Sequence, residues 1–208
     1  FFTDFENIRD KIAMKLIHYD RNYTLLKKVP HVRFLDLAIV FYCLISMDIT
    51  QGNATILIHH SHLQNWGIQT SELFQIAKEN TQHILPERLY DMNDVLHTLT
   101  ERKHISLDGI YPTEPYPMFV LTNETNLFGA ACILYKNLLK NLAEEALTDF
   151  YILPSSIHEV ILVPTLDCDN YPELSEMVQE VNDTQLQDDE ILSIHAYYYS
   201  RKSNEITM

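Results

Sequence analysis

Apolar positions follow two rhythms along this chain, and the places where the rhythm changes mark its elements. After Asp4, a candidate N-cap, Phe5, Ile8, Ile12, Leu16 and Tyr19 recur at spacings of three and four. That spacing predicts an opening helix that stops near Asn22. After Pro30, residues 35–45 (LDLAIVFYCLI) carry no helical stripe and are rich in aromatic and β-branched side chains, so a central strand is expected there, with a buried helix as the alternative. Gly52-Asn53 signals a turn, and 54–59 should pair back antiparallel. A helical turn over 61–66 should end at Gly67, a residue suited to a left-handed C-cap. Thr70 or Ser71 then opens a helix through Leu73, Phe74, Ile76 and Ala77. Pro86 breaks that pattern, and Asp91 is expected to open a further helix containing Val95 and Leu96.

The second half is more sharply punctuated. Gly109, Pro112, Pro115 and Pro117 make 105–117 a linker or long loop. From 118 the pattern reads strand, strand, helix, strand, strand, helix, strand. Strands are expected at 118–122 and 130–135, then a helix capped by Asn137. Two short strands, 150–153 and 160–163, bracket a polar connection. Pro172 suits the first turn of a helix in which Leu174, Met177, Val178 and Val181 form one stripe. A final strand at 194–199 precedes a turn at Ser203-Asn204. The expected class is α+β, with one lobe over 1–104 and a second over 118–208. Both are built of strand-strand-helix units, with mixed or antiparallel sheets and helices on one face.

Composition narrows the function classes without naming one. With 208 residues the chain can bury one sizeable core or two small ones. Its longest apolar run, 37–45, is too short to span a bilayer, and no signal-peptide pattern is visible. The first residue is Phe1, so an upstream segment is expected. Cys43, Cys132 and Cys168 are widely spaced, and two lie in apolar runs; they read as reduced core thiols of a cytoplasmic protein.

Charge adds a sharper constraint. The net charge is −14, and residues 141–200 hold thirteen Asp and Glu with no Lys or Arg, whereas the first fifty residues hold six acids and seven bases. An acidic half repels phosphate, which argues against direct nucleic-acid or anionic-membrane binding. The expected partner is a protein that meets the acidic half. The alternatives are a solvated face and an acidic nucleic-acid mimic that inhibits a nucleic-acid enzyme.

The most specific polar cluster is Ser155, Ser156, His158 and Glu159, between the two short strands of the second half. A His beside a Glu and near hydroxyls could serve acid–base or nucleophilic chemistry, which gives a hydrolase-like alternative. Strand alternation would send His158 and Glu159 to opposite faces. Serine side chains that bond local backbone would make the same cluster a structural turn. His59, His60 and His62 lack the nearby Cys or carboxylate partners of a zinc site, so no metal is expected. Cys132 sits in an apolar run and reads as a core thiol. The four glycines form neither a phosphate loop nor a dinucleotide fingerprint, and no cofactor is expected. Tyr197-Tyr198-Tyr199 reads as strand rather than as a stacking platform.

Several segments together carry a likeness. They are residues 150–164 (FYILPSSIHEVILVP), Gly129-Ala130-Ala131 before them, and Glu180-Val181-Asn182 with Thr184-Gln185 after them. In the first half they are Leu35-Asp36-Leu37-Ala38, Trp66-Gly67 and Ala77-Lys78-Glu79-Asn80-Thr81. With these the chain resembles, over nearly its whole length, domain-of-unknown-function family 5688, proteins largely of gut bacteria that usually carry an additional N-terminal segment. The layout is more weakly similar to the YtpQ-like family, also of unknown function. The likeness supports the fold and brings no activity, substrate or cofactor. It singles out Asn80, which could cap the end of its helix. The leading functional expectation is a non-enzymatic binding or protein-interaction module.

Overall fold

The uninterrupted apolar run of the first half forms the centre of a four-stranded antiparallel sheet. The computed structural model describes residues 4–48, 52–91, 118–154, 156–165 and 190–208. In that sheet β1 (Ile12–His18) lies along one side of β3 (Leu37–Asp48), and β2 (His31–Phe34) and β4 (Gly52–Leu57) share the other. Residues 37–43 of β3 are buried without a break, because both faces of the strand are covered. Leu37, Ile39, Phe41 and Cys43 enter the main core, while Ala38 and Val40 pack on Ile17, Leu26 and Val29. A strand buried on both faces loses its alternation, which is why the run showed no period of two.

The same physics corrects the opening helix. Residues 6–8 form a turn and Arg9–Lys11 a short 3-10 segment, and Ile12–His18 is strand β1, in register with β3 from Ile12 opposite Cys43 to His18 opposite Leu37. Ile12, Ala13, Met14, Leu16 and Ile17 are all buried, so the spacing of three and four was a subset of a continuous apolar run. Helices α1 (Tyr23–Leu26), α2 (His60–Trp66) and α3 (Thr70–Ile84) follow in order. Gly67 ends α2 with φ of 69°, as expected of a left-handed cap. The open edge of β1 is covered by α3. The Met14 N–H donates to Thr81 Oγ1 at 3.0 Å, and Asn80 Nδ2 donates to the carbonyls of Arg9 at 2.7 Å and Ile12 at 3.2 Å. Side chains of a helix thus satisfy backbone groups that a bare sheet edge would expose.

The second sheet is six-stranded and antiparallel, in the order β10-β9-β7-β8-β6-β5. Its members are β5 (Glu87–Asp91), β6 (Phe119–Asn123), β7 (Phe150–Leu153), β8 (Val160–Pro164), β9 (Tyr197–Ser200) and β10 (Glu205–Thr207). The hairpin of β7 and β8 forms as its polar connection implied. Asp91 ends β5 instead of opening a helix; Val95, Leu96, the 105–117 connection and the helix expected at Pro172 lie outside the described residues. The final strand begins at Tyr197, later than expected, because Ser193 Oγ takes the His195 N–H at 3.0 Å and bends the chain ahead of it.

Residues 130–135 are not a strand. Gly129–Leu134 form a buried 3-10 turn that packs on both β1 and β6, ahead of α4 (Leu138–Ala146). The second half is therefore strand, 3-10 turn, helix, strand, strand at its start. Short buried runs look alike in strand and helix, and here the backbone approach at Gly129 decides. A Cβ there would stand 2.1 Å from Thr122 Oγ1, 2.5 Å from the His158 carbonyl oxygen and 2.8 Å from the Asn123 nitrogen.

One apolar core runs through both sheets. Ile12, Met14 and Phe41 of the first share it with Leu121, Ile152, Leu162 and Tyr197 of the second. Among the described residues no helix is long and apolar enough to cross a membrane. The crowding at Gly129 gives a direct test of how the second sheet is fastened: Gly129→Ala should lower unfolding stability in urea by about 2–3 kcal/mol through overpacking against backbone that cannot yield.

Candidate functional site

The connection between β7 and β8 is held from three sides. Ser156 bridges to Ile191, the Ile157 N–H donates to the Glu190 carbonyl at 2.9 Å, and the Ser193 N–H donates to the Pro154 carbonyl at 3.0 Å. From the opposite side the Ala130 N–H donates to the Ile157 carbonyl at 3.3 Å, and Thr122 Oγ1 donates to the His158 carbonyl at 2.8 Å. The segment is thus the seam between the 3-10 turn, β6 and the stretch that leads into β9.

Its side chains are committed to that seam. Ser156 is buried, and its Oγ accepts the His158 N–H at 3.0 Å. The same hydroxyl donates to Glu159. His158 Nδ1 accepts the Phe128 N–H at 3.3 Å, which places the ring proton on Nε2, and Nε2 faces Glu190 Oε1 at 3.8 Å. The imidazole stacks on the Phe128 ring, 5.7 Å between centroids and 10° from parallel. Residues 157 and 158 bend ahead of β8, so strand alternation does not separate His158 from Glu159, and His158 helps to lower the Glu159 pKa. Burial raises the Glu159 carboxyl above its ordinary value; the Ser156 hydrogen bond and His158 pull it part of the way back, and Glu190 opposes them.

Phe128 joins this seam to the first sheet. It adopts φ of 54°, uncommon for an aromatic residue. Tyr42 meets its ring edge-on at 5.2 Å, and Lys15 Nζ lies 3.9 Å from its centroid. Burial holds the Lys15 ammonium below its ordinary value. The Tyr42 hydroxyl is buried with no hydrogen-bond partner among the described residues. Lys15 and Phe128 carried a legible signal, since each interrupts its surroundings: a lone charge within IAMKLI, and an aromatic just before Gly129.

Geometry weighs against nucleophilic chemistry here. Ser156 bonds the backbone of His158 and not its ring, the ring nitrogen that could act as base accepts a backbone N–H, and Ser155 lies outside the described residues. A triad needs the nucleophile's proton within reach of the base. None of the clefts near α1, between α2 and α3, or at the start of α4 is lined by Ser156, His158 or Glu159. Asn80 is correspondingly structural. It does not cap the end of α3 but fastens that helix to the entry of β1.

The other candidates fall into place around these. His62 Nδ1 accepts the His59 N–H at 3.0 Å and its ring stacks on Trp66 at 5.5 Å, so the histidines organise the start of α2. Among the described residues no three His, Cys, Asp or Glu side chains gather as a metal would need. Cys132 is fully buried, donates to the Thr122 carbonyl, and is pushed up to about 12 by burial, so it is an unreactive core thiol. A polar cluster that the sequence did not reveal joins the halves: the Asp36 carboxylate accepts from Ser193 Oγ at 2.7 Å and from the Tyr197 hydroxyl.

The raised Glu159 pKa has a pH consequence. A carboxyl whose folded value exceeds its unfolded one contributes stability below the unfolded pKa and loses it as pH rises through the folded value. Glu159→Gln keeps the shape and removes the charge. In urea titrations across the carboxylate range, the stability of the Gln variant relative to wild type should rise with pH. A constant difference would show that Glu159 ionises as freely in the folded protein as in the unfolded one.

No curated protein and no solved structure matches the chain. The weaker likeness to the YtpQ-like family is not shown. The model of a family of unknown function (DUF5688) matches residues 1–201, nearly the whole chain, and the protein belongs to that family.

Proposed function

We propose that this protein is a non-enzymatic binding module that engages a basic protein partner through the acidic stretch 141–200. One observation carries this reading: the polar side chains of the family signature are already used inside the fold. Ser156, His158 and Asn80 bond backbone or neighbouring side chains, and Glu159 is half-buried beside Ser156. What is left over for a partner is charge. Of the thirteen carboxylates in residues 141–200, a stretch with no Lys or Arg, Asp149, Glu159 and Glu190 have partners within the fold, while Glu144 and Glu145 of α4 are exposed. A one-signed field of this kind steers a cationic partner and makes its association strongly salt-dependent. Cys43 and Cys132, both buried free thiols, fit a reducing cytoplasm.

The reading is tested with a labelled Lys/Arg-rich peptide in fluorescence anisotropy. Neutralising Asp167, Asp169, Glu173, Glu176, Asp188 and Asp189 as Asn or Gln should weaken binding by about tenfold or more and flatten its salt dependence. Equal affinity for the wild-type and neutralised proteins, or no binding by either, would overturn it.

A further inference from the structure

We infer that the cleft at the start of α4 binds a small phosphorylated compound. The cleft has a volume of about 310 Å³, at the small end of the range for ligand pockets. Three lysines from different elements line it: Lys78 of α3, Lys136 ahead of α4, and Lys140 in the first turn of α4. No carboxylate is among its lining residues. In a chain with 29 acids and only fifteen Lys and Arg, three cations around one acid-free cleft are a local reversal of sign.

The surrounding charges leave this reversal largely intact. Lys140 Nζ lies 3.8 Å from Glu144 one turn along the helix, an exposed pair of small worth. Burial, then Glu144 and Asp149, raise the Tyr199 hydroxyl pKa, and neither acid lines the cleft. Lys78 and Lys136 have no ion-pair partner among the described residues. Glu79 follows Lys78 in the chain and Glu205 lies between Asn204 and Ile206, but neither carboxylate lines the cleft. Lysines are suited to phosphate as point charges, with no need for the planar fork of arginine.

Neutral donors complete the site. Asn137, at the N-cap position, takes a left-handed backbone with φ of 63° and makes no side-chain cap, so no side-chain oxygen occupies the N–H groups of Leu139 and Lys140. On the far wall the Tyr199 hydroxyl donates to Asn204 Oδ1 at 2.7 Å, which fixes the Asn204 amide at the edge of the cleft. The lysine cluster carries the inference, and these groups add hydrogen-bond donors to it.

This site is independent of the acidic binding surface, and its test separates the two. Inorganic pyrophosphate is titrated into the full chain at fixed ionic strength by isothermal calorimetry. Wild type should bind it saturably with one site. The double variant Lys78→Gln/Lys136→Gln should lose about tenfold or more in affinity, while Lys27→Gln/Lys28→Gln, with the same loss of charge elsewhere, should change it by less than about twofold. Unchanged thermal unfolding of both variants excludes a folding defect. No saturable binding by wild type, or equal losses in the two variants, would overturn the inference, whatever the result with cationic peptides.

Discussion

The Asp36 carboxylate sits where the two sheets meet, and both of its oxygens are spent on the second one. One accepts the Ser193 hydroxyl at 2.7 Å and the other the Tyr197 hydroxyl, and both donors belong to fully buried residues. A buried hydroxyl cut off from water loses about 1–3 kcal/mol when its acceptor is removed, so this one side chain answers for two such groups. Its backbone is fixed as well, because the Asp36 carbonyl accepts the Tyr19 N–H at 2.9 Å. The tight turn from β2 into β3 places Leu35 at φ of 54°, a conformation costing about 1–3 kcal/mol for a residue with a side chain. That strain is tolerable because the turn presents Asp36 to its partners. His18 lies within the same field: burial lowers its pKa, and Asp36 leads the groups that raise it again.

The other segments that carry the family likeness have the same character. Asn80 and Thr81 stitch α3 to the open edge of β1, Gly129 admits backbone where no side chain fits, and the Pro154–Glu159 connection ties three neighbouring elements. Each is a seam between parts of the chain that are distant in sequence. Signature residues of this kind mark how the fold is closed.

Local rules made much of this architecture legible. The apolar run of β3, the hairpin of β7 and β8, the glycine stop of α2 and the body of α3 and α4 follow from residues within one element. The errors arose where long-range contacts decide. β1 read as a helix because burial on both faces removed its alternation. Residues 130–135 read as a strand because an apolar run does not report its own backbone. The pairing of β5 with β6 and the three-residue β10 gave no pattern of their own. Ser156, His158 and Glu159 were legible as an unusual polar run, but Phe128 and Glu190, which meet His158, and the carbonyls of Arg9 and Ile12, which Asn80 bonds, are connected to them by no spacing. Asp36 was in plain view, but its partners stand 157 and 161 residues away.

The central claim is that the two sheets hold one core under one polar clamp and therefore open together. Hydrogen exchange followed by mass spectrometry tests it most directly. Amides of residues 39–43 in β3 and 150–153 in β7 should share a single opening free energy, and Asp36→Ala should lower both by the same amount. Loss of protection confined to β2 and β3 in that variant, with β7 unchanged, would contradict it.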